Sequence, residues 1–369
     1  MKTAGIIAEY NPFHNGHKFH IEKTREISGA EGIIVAMSGN FVQRGDAAIC
    51  DKWTRAEMAL LGGADLVVEL PCVYACQSAE YFAKGAVSIL ESLKCDFLSF
   101  GTETDDIEEI IKIAEFMKNP TDDFKRRLED NLQKGISYPK ALADSLDSKA
   151  VNTPNNVLAI EYVKYVRNMK PVGIKRHGSL HDGTGSASDI RNKILKNEAA
   201  HQLMPNDSVE ILKCTPLANR NTFENLLLYK LRTMNGEQLK NIPDVTEGLE
   251  NRILQMAHKC TTFDEMCNAI KTKRYTMARI RRIMTNALLD ITKEVISNPP
   301  EYIRVLGMNK KGMEILSRLR DNTDIPVITK VADAKKSRML QLDINATNVY
   351  SILTGKPSML DFTTSPIIL

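Results

Sequence analysis

Gly5-Ile6-Ile7-Ala8-Glu9-Tyr10-Asn11-Pro12-Phe13-His14-Asn15-Gly16-His17 is the stretch on which the reading of this chain turns. Gly5 to Glu9 is a short apolar run of strand type, and Lys18 to Ser28 has a helical pattern. A strand that turns into a helix N-terminus presents backbone N–H groups and a favourable dipole to an anion. Gly16 lets the backbone approach phosphates closely. His14 and His17 can donate to phosphate oxygens as charge builds in an in-line displacement at an α-phosphorus. A lone histidine is usually a surface or capping residue. Two around a glycine, straight after a strand, point to a nucleoside triphosphate and adenylyl transfer. His20, one turn further on, has no such warrant and reads as structural.

Outward from this turn, short apolar runs alternate with helical patterns. Gly32 to Ser38, Asp65 to Leu70, Cys95 to Phe100 and Val172 to Lys175 read as further strands. Lys52 to Gly62, capped by Asp51, and Ser78 to Leu93 read as helices between them. Nearly continuous apolar strands separated by helices predict an α/β fold with a doubly wound parallel sheet. In such sheets ligands sit beyond the carboxyl ends of the strands. His14, His17, the loop from Ser38 to Arg44 and Gly101 to Glu103 all fall at that edge.

Asp105 to Lys149 reads as a helical excursion, and Pro154-Asn155-Asn156 starts a helix that runs to Arg167. After about residue 205 the character changes. Helical patterns cover Thr222 to Met234, Gly248 to Cys260, Phe263 to Ile270, Thr276 to Ile296 and Lys311 to Arg320, with a late strand at Ile325 to Val331. The expected organisation is a catalytic domain over 1–205 and a mainly helical domain over 206–369. The apolar tail from Asp361 to Leu369 is expected to dock back onto the body.

Composition narrows the classes. Hydrophobic content of 43% and charged content of 26% fit a globular protein, and a net charge of +3 leaves any basic surface to be local. The seven cysteines are scattered, with no paired spacing for zinc, and read as reduced thiols. No secretory signal or bilayer-spanning run is evident, so a cytoplasmic location without membrane contact is expected. No carboxylate pair points at the phosphates, so no metal site is assigned. Magnesium with ATP is only a chemical default.

Three further strings carry chemistry. Ser186-Ala187-Ser188-Asp189-Ile190-Arg191 offers hydroxyls, a helix start capped by Ser188 and an arginine for the outer phosphates. Ser38-Gly39-Asn40-Phe41-Val42-Gln43-Arg44-Gly45-Asp46 is a loop placed to cover a second substrate. Lys271, Lys273, Arg274, Arg279, Arg281 and Arg282 form a run of six cations without an acidic residue, a bias that suits an RNA backbone.

Together these strings resemble the bacterial tRNA(Met) cytidine acetate ligases. So do Pro154-Asn155-Asn156, Glu247-Gly248-Leu249-Glu250-Asn251-Arg252, Lys273-Arg274-Tyr275-Thr276 and the Thr363-Thr364-Ser365-Pro366-Ile367-Ile368 tail. The resemblance runs nearly end to end, whereas His-x-Gly-His alone would indicate only the wider nucleotidylyltransferase superfamily. It implies a Rossmann-like sheet of the nucleotidylyltransferase type and a two-step reaction. ATP and acetate give acetyl-adenylate, and the acetyl group passes to N4 of the wobble cytidine of elongator tRNA(Met). The implied ATP contacts are Ile7, Ala8, Glu9, Tyr10, Asn11, Pro12, Phe13, His14, Asn15, Gly16, His17, Lys18, Phe19, His20 and Gly101. A later asparagine falls by chain order on Asn152 or Asn155 and an arginine on Arg176, while Ser188 belongs to the second phosphate motif. Asp189 stands where the superfamily carries threonine or a small neutral residue. Turned inward it would repel phosphate, so it is expected to face solvent. Two other functions fit parts of the pattern. A small-molecule adenylyltransferase of coenzyme synthesis shares the histidine core, and a non-catalytic nucleotide-sensing RNA-binding protein would use the basic half.

Overall fold

The strand Gly32–Ser38 shows why the sheet is buried on both faces. Ile33, Val35 and Met37 join a core with Ile21, Trp53 and Ala56, while Ile34 and Ala36 join another with Phe82, Ala83 and Val87. Alternate residues of a strand point to opposite faces, so a strand covered on both sides must be apolar throughout. The computed structural model describes residues 1–369 apart from 105, 135, 137, 147, 149–150, 152, 176–185, 197, 247, 273–274 and 320–321.

Strands β1 (Thr3–Ala8), β2 (Gly32–Ser38), β5 (Leu66–Leu70), β6 (Phe97–Thr102) and β7 (Lys170–Lys175) pair in parallel, in the order β5-β2-β1-β6-β7. Between β2 and β5, β3 (Phe41–Val42) and β4 (Asp46–Ala47) form a small antiparallel hairpin. The main sheet continues past β5 with β8 (Ile303–Met308), which runs antiparallel to it, and with β9 (Val327–Ile328) and β10 (Ile367–Ile368), both parallel to β8. The fold is therefore a mostly parallel α/β sheet, and its last three strands come from the final third of the chain.

The helices that matter for the site are α1 (Asn15–Ser28), α2 (Lys52–Leu61), α3 (Ala79–Ser92), α4 (Pro154–Tyr165) and α5 (Ala187–Leu195). In the second half, α6 (Arg220–Thr233), α7 (Leu249–Lys259), α8 (Phe263–Ile270) and α9 (Met277–Leu288) pack on one another, and α10 (Arg338–Thr354) follows β9.

Several expectations need correction. The helix expected to run to Ile296 ends at Leu288, because Asp290 takes a left-handed conformation (φ 56°) and a separate short helix, Lys293–Ser297, follows. The cap of α5 is Ser186, whose hydroxyl accepts from Asp189 N, and not Ser188. The late strand covers only Val327–Ile328. Strand β8 and helix α10 had no counterpart in the sequence reading. Seven free cysteines stand in the chain, Cys214 the only exposed one. Among the described residues no helix is long and apolar enough to cross a membrane.

Candidate active site

β1 ends in a turn whose geometry follows from its residues. His14 caps α1: its Nδ1 accepts from Gly16 N at 3.0 Å, while His17 Nδ1 accepts from His14 N at 3.2 Å. Both rings take a backbone N–H at Nδ1, which puts the proton of each neutral imidazole on Nε2, the donor that a phosphate oxygen needs. The rings stack at 3.6 Å between centroids. A Cβ on Gly16 would lie 2.9 Å from His14 Cε1, so the glycine is needed first to admit the capping ring. The first turn of α1 carries no acidic residue, leaving the helix dipole open to an anion.

The other residues of the turn build the wall behind the histidines. Tyr10 and Phe13 are fully buried, and their rings lie 4.8 and 5.6 Å from His17. Burial pushes the Tyr10 hydroxyl well above its usual range, and that hydroxyl has no hydrogen-bond partner among the described residues. Asn11 and Pro12 are buried, and Asn11 Oδ1 accepts from Ile49 N at 2.8 Å. Ile7 and Ala8, at the exit of β1, and Phe19 are half-buried, while Asn15, Gly16 and Lys18 are exposed. His20 lies deeper, hydrogen-bonded to Ser99 Oγ at 2.9 Å.

A second wall comes from the neighbouring strand exits. Gly101 lies near the end of β6, two residues before Glu103. Glu103 accepts from Asn155 Nδ2 and from Thr153 Oγ1, and its own N–H donates to Asn156 Oδ1 at 2.9 Å. Asn155 thus stands at the ligand edge of the sheet, beside β6. Helix α5 is fastened to the histidine turn by Arg191, which donates to Asn11 O at 2.6 Å and to Ser188 Oγ at 3.1 Å. Ser188 is exposed. Asp189, expected to face solvent, is half-buried and accepts from Ser186 Oγ at 2.7 Å, which holds it at the helix start. Asn152, Arg176, Lys273 and Arg274, and the loop 177–185, lie outside the described residues.

The loop after β2 is held rather than open. Arg55 of α2 is fully buried and donates to Glu9 O at 2.6 Å, Ser38 O at 3.1 Å, Cys50 O at 3.1 Å and Gly39 O. One guanidinium therefore gathers the exits of β1 and β2. Below it lies a buried ionic quartet. Lys52 Nζ is 2.7 Å from Glu69 and 2.9 Å from Asp361, and Arg304 is 2.8 Å from Asp361 and 3.3 Å from Glu69. Trp53 covers both cations, its ring centroid 5.0 Å from Lys52 Nζ and 5.9 Å from Arg304 Cζ. Burial pushes the Asp361 carboxyl up, but Lys52 and Arg304 outweigh it and hold the group below its usual value.

The hairpin β3–β4 abuts the basic helix α9. Gly45 has φ +75°, and a Cβ there would fall 2.5 Å from the Arg281 carbonyl carbon. Thr285 Oγ1 donates to Gly45 O at 2.8 Å, and Arg281 pairs with Asp46 at 2.9 Å. Arg282 pairs with Asp244 at 3.0 Å, and Arg279 donates to Asp244 O at 2.7 Å while covering the ring of Tyr275. The run has no acid of its own, but the fold supplies acids from elsewhere. Lys271 is exposed.

Sequence reasoning did not find Arg55 or the quartet. A signal for the first existed: Lys52, Arg55, Ala56 and Ala59 recur at helical spacing on the buried face of α2. Among the described residues no group of three His, Cys, Asp or Glu side chains is placed to hold a metal ion.

Residues 1–363 match the family described as HIGH nucleotidyl transferase. The tRNA(Met) cytidine acetate ligase of Clostridium perfringens is 40% identical, with all of both chains covered. Its namesake from Clostridium kluyveri is 42% identical over all of this chain and 99% of its own. The crystal structure of Thermotoga maritima TmcAL bound with alpha-thio ATP is similar over the whole of both chains, with a TM-score of 0.93 at 33% identity.

Proposed function

The chain belongs to the HIGH nucleotidyl transferase family, and from that premise we propose that it is an ATP-dependent ligase that acetylates N4 of the wobble cytidine of elongator tRNA(Met). Its curated relatives carry the name tRNA(Met) cytidine acetate ligase over their full length. The observation that carries the reading is the stacked His14–His17 pair at the exit of β1, in a chain that is similar end to end to a structure holding an ATP analogue.

In the first step an acetate oxygen attacks the α-phosphorus of ATP, the bond to the bridging oxygen breaks, and pyrophosphate leaves. Acetate is already ionised near neutral pH and needs no general base. The site has to position the reactants and stabilise charge on the α-phosphate and the leaving group. Nε2–H of His14 and of His17, with the N-terminus of α1, supplies that stabilisation. Gly101 lines the nucleotide together with one asparagine, Asn155 or Asn152, and Arg176, and Ser188 faces the outer phosphates. In the second step N4 of cytidine attacks the acetyl carbon, AMP leaves, and N4 gives up a proton. Magnesium accompanies ATP as its usual counterion, and the substrates place the enzyme in the cytoplasm.

The RNA contacts assigned to the basic run divide by surroundings. Lys271, Lys273 and Arg274 precede α9 and offer cations to phosphate. Arg279, Arg281 and Arg282 reach RNA only through donors that their internal bonds leave over.

The test is incubation with ATP, labelled acetate and tRNA. Label should enter tRNA only with ATP present, and pyrophosphate should be released. Pyrophosphate formed with a mononucleotide acceptor and not with acetate would favour the coenzyme reading, and binding without either product a sensor. His14→Ala should lower adenylate formation about 100- to 1,000-fold, the usual loss for one transition-state donor, with tRNA affinity unchanged.

A further inference from the structure

A second basic surface lies far from α9 in the chain. Between β8, β9 and the start of α10 is an open cleft of about 460 Å3, lined in part by Tyr302, Thr329, Lys330, Lys335, Lys336 and Ser337. The three lysines and the adjoining Arg338 are exposed, and none makes a side-chain hydrogen bond or ion pair among the described residues. Two carboxylates, Glu301 and Asp333, share the lining, so the cleft with its rim is net positive.

Its position follows from the register of the sheet. β8 runs antiparallel to β5, with Arg304 opposite Glu69, so the cleft beside Tyr302 opens at the carboxyl edge of the parallel strands. Tyr302 donates to Asp343, which accepts from Cys72 N, two residues beyond the end of β5. Helix α10 then runs along this same edge. Asn40 donates to Thr347 at 3.3 Å, Tyr350 donates to Ala48 O at 2.8 Å, and the next residue, Ile49, donates to Asn11 in the histidine turn. From Ser337 to Tyr350 the helix rises about 20 Å. The unpaired cations thus stand at the start of this helix, and the chain beside its last turns leads to the histidines, along one carboxyl edge of the sheet.

We propose that this cleft holds the phosphate backbone of the RNA acceptor, at least one helix length away from the base that enters the nucleotide site. The proposal rests on the RNA-modifying reading above. Exposed ammonium groups suit a polyanion, whose bound counterions they release. A single small anion would call for buried, preorganised donors, and among the described lining residues the buried hydroxyl of Tyr302 is already given to Asp343. The lysines lie along an edge that leads to the site, as a continuous strand requires.

The experiment compares the full-length protein with the variant carrying Lys330→Ala, Lys335→Ala and Lys336→Ala. A control variant loses the exposed Lys2, Lys112 and Lys118 instead. Affinity for tRNA is measured across a salt series, alongside acetate-dependent ATP–pyrophosphate exchange without RNA. The cleft variant should bind tRNA roughly 10- to 100-fold more weakly near 0.1 M salt. The slope of log affinity against log salt should flatten by about two to three, with exchange unchanged. The control should keep the wild-type slope. An unchanged slope in the cleft variant, or an equal loss in the control, overturns the assignment. If the wild-type protein acetylates tRNA and only the cleft variant fails to differ, the cleft alone is refuted. If the wild-type protein neither acetylates nor binds tRNA, the functional reading falls and takes the cleft with it.

Discussion

Helix α9 and the segment from Lys330 to Arg338 are both rich in cations, yet the fold treats them in opposite ways. On α9, Arg281 pairs with Asp46, and Arg282 and Arg279 converge on Asp244. Around the cleft, Lys330, Lys335, Lys336 and Arg338 are exposed and unpaired among the described residues. In the first set Arg281 joins the helical half to the hairpin beside the site while Arg279 and Arg282 tie the helical half to itself, and the second set is open to a ligand. A charge written in a sequence therefore says little about its availability until its partners are known.

The largest expected effect belongs to the most enclosed charges. Asp361→Ala leaves Lys52 and Arg304 facing Glu69 alone in the interior, and removing one member of a buried ionic cluster costs about 3–5 kcal/mol. Urea unfolding should show that loss, and a change under 1 kcal/mol would mean that the quartet is solvated. An intermediate effect is expected on α9. Changing Arg279, Arg281 and Arg282 together to alanine should cost about 1–2 kcal/mol in all, since Asp46 is 42% exposed and its pair is partly screened. The same variant should also bind tRNA more weakly. The comparison breaks if this triple loses affinity with no loss of stability.

A smaller effect separates charge from shape at Asp51, the cap of α2 and partner of Lys356 at 2.7 Å. Burial pushes its carboxyl up, but Lys356 and the Thr54 N–H overcome that and hold it below the usual value. The stability it adds is complete above the ordinary carboxylate pKa and is lost as pH falls through the lower folded value. Asparagine caps a helix nearly as well. Wild type should therefore exceed Asp51→Asn by about 1 kcal/mol at pH 6, and the gap should close below about pH 4. A constant gap in acid would remove the charge term. At the far end of the scale, the three cleft lysines changed to alanine should leave the melting temperature where it was.

What could be read from the chain was local. The continuous apolar runs of β1, β2 and β5 and the strand-to-helix turn at His14 are decided by neighbours a few residues apart. So is Asp51, whose partner Thr54 is three positions on. What escaped was non-local. The acids that answer Arg281 and Arg282 lie 235 and 38 residues away. β8 carries an arginine as its second residue because Glu69 and Asp361 await it there. Without those partners the run does not look like a buried strand. The cleft lysines make no motif, and only the register of β8 against β5 brings them to the ligand edge.

The antiparallel pairing of β8 with β5 also bears on how the protein is made. A ribosome delivers β5 and its Glu69 roughly 230 residues before β8, a delay of about 10–50 s at ordinary elongation rates. Through that interval β5 is a bare edge, apolar on both faces, with an unanswered row of backbone donors and acceptors, the kind of surface that recruits another chain. The nascent protein thus has its nucleotide turn long before it can protect its own sheet, and a late segment is the one that closes an early edge.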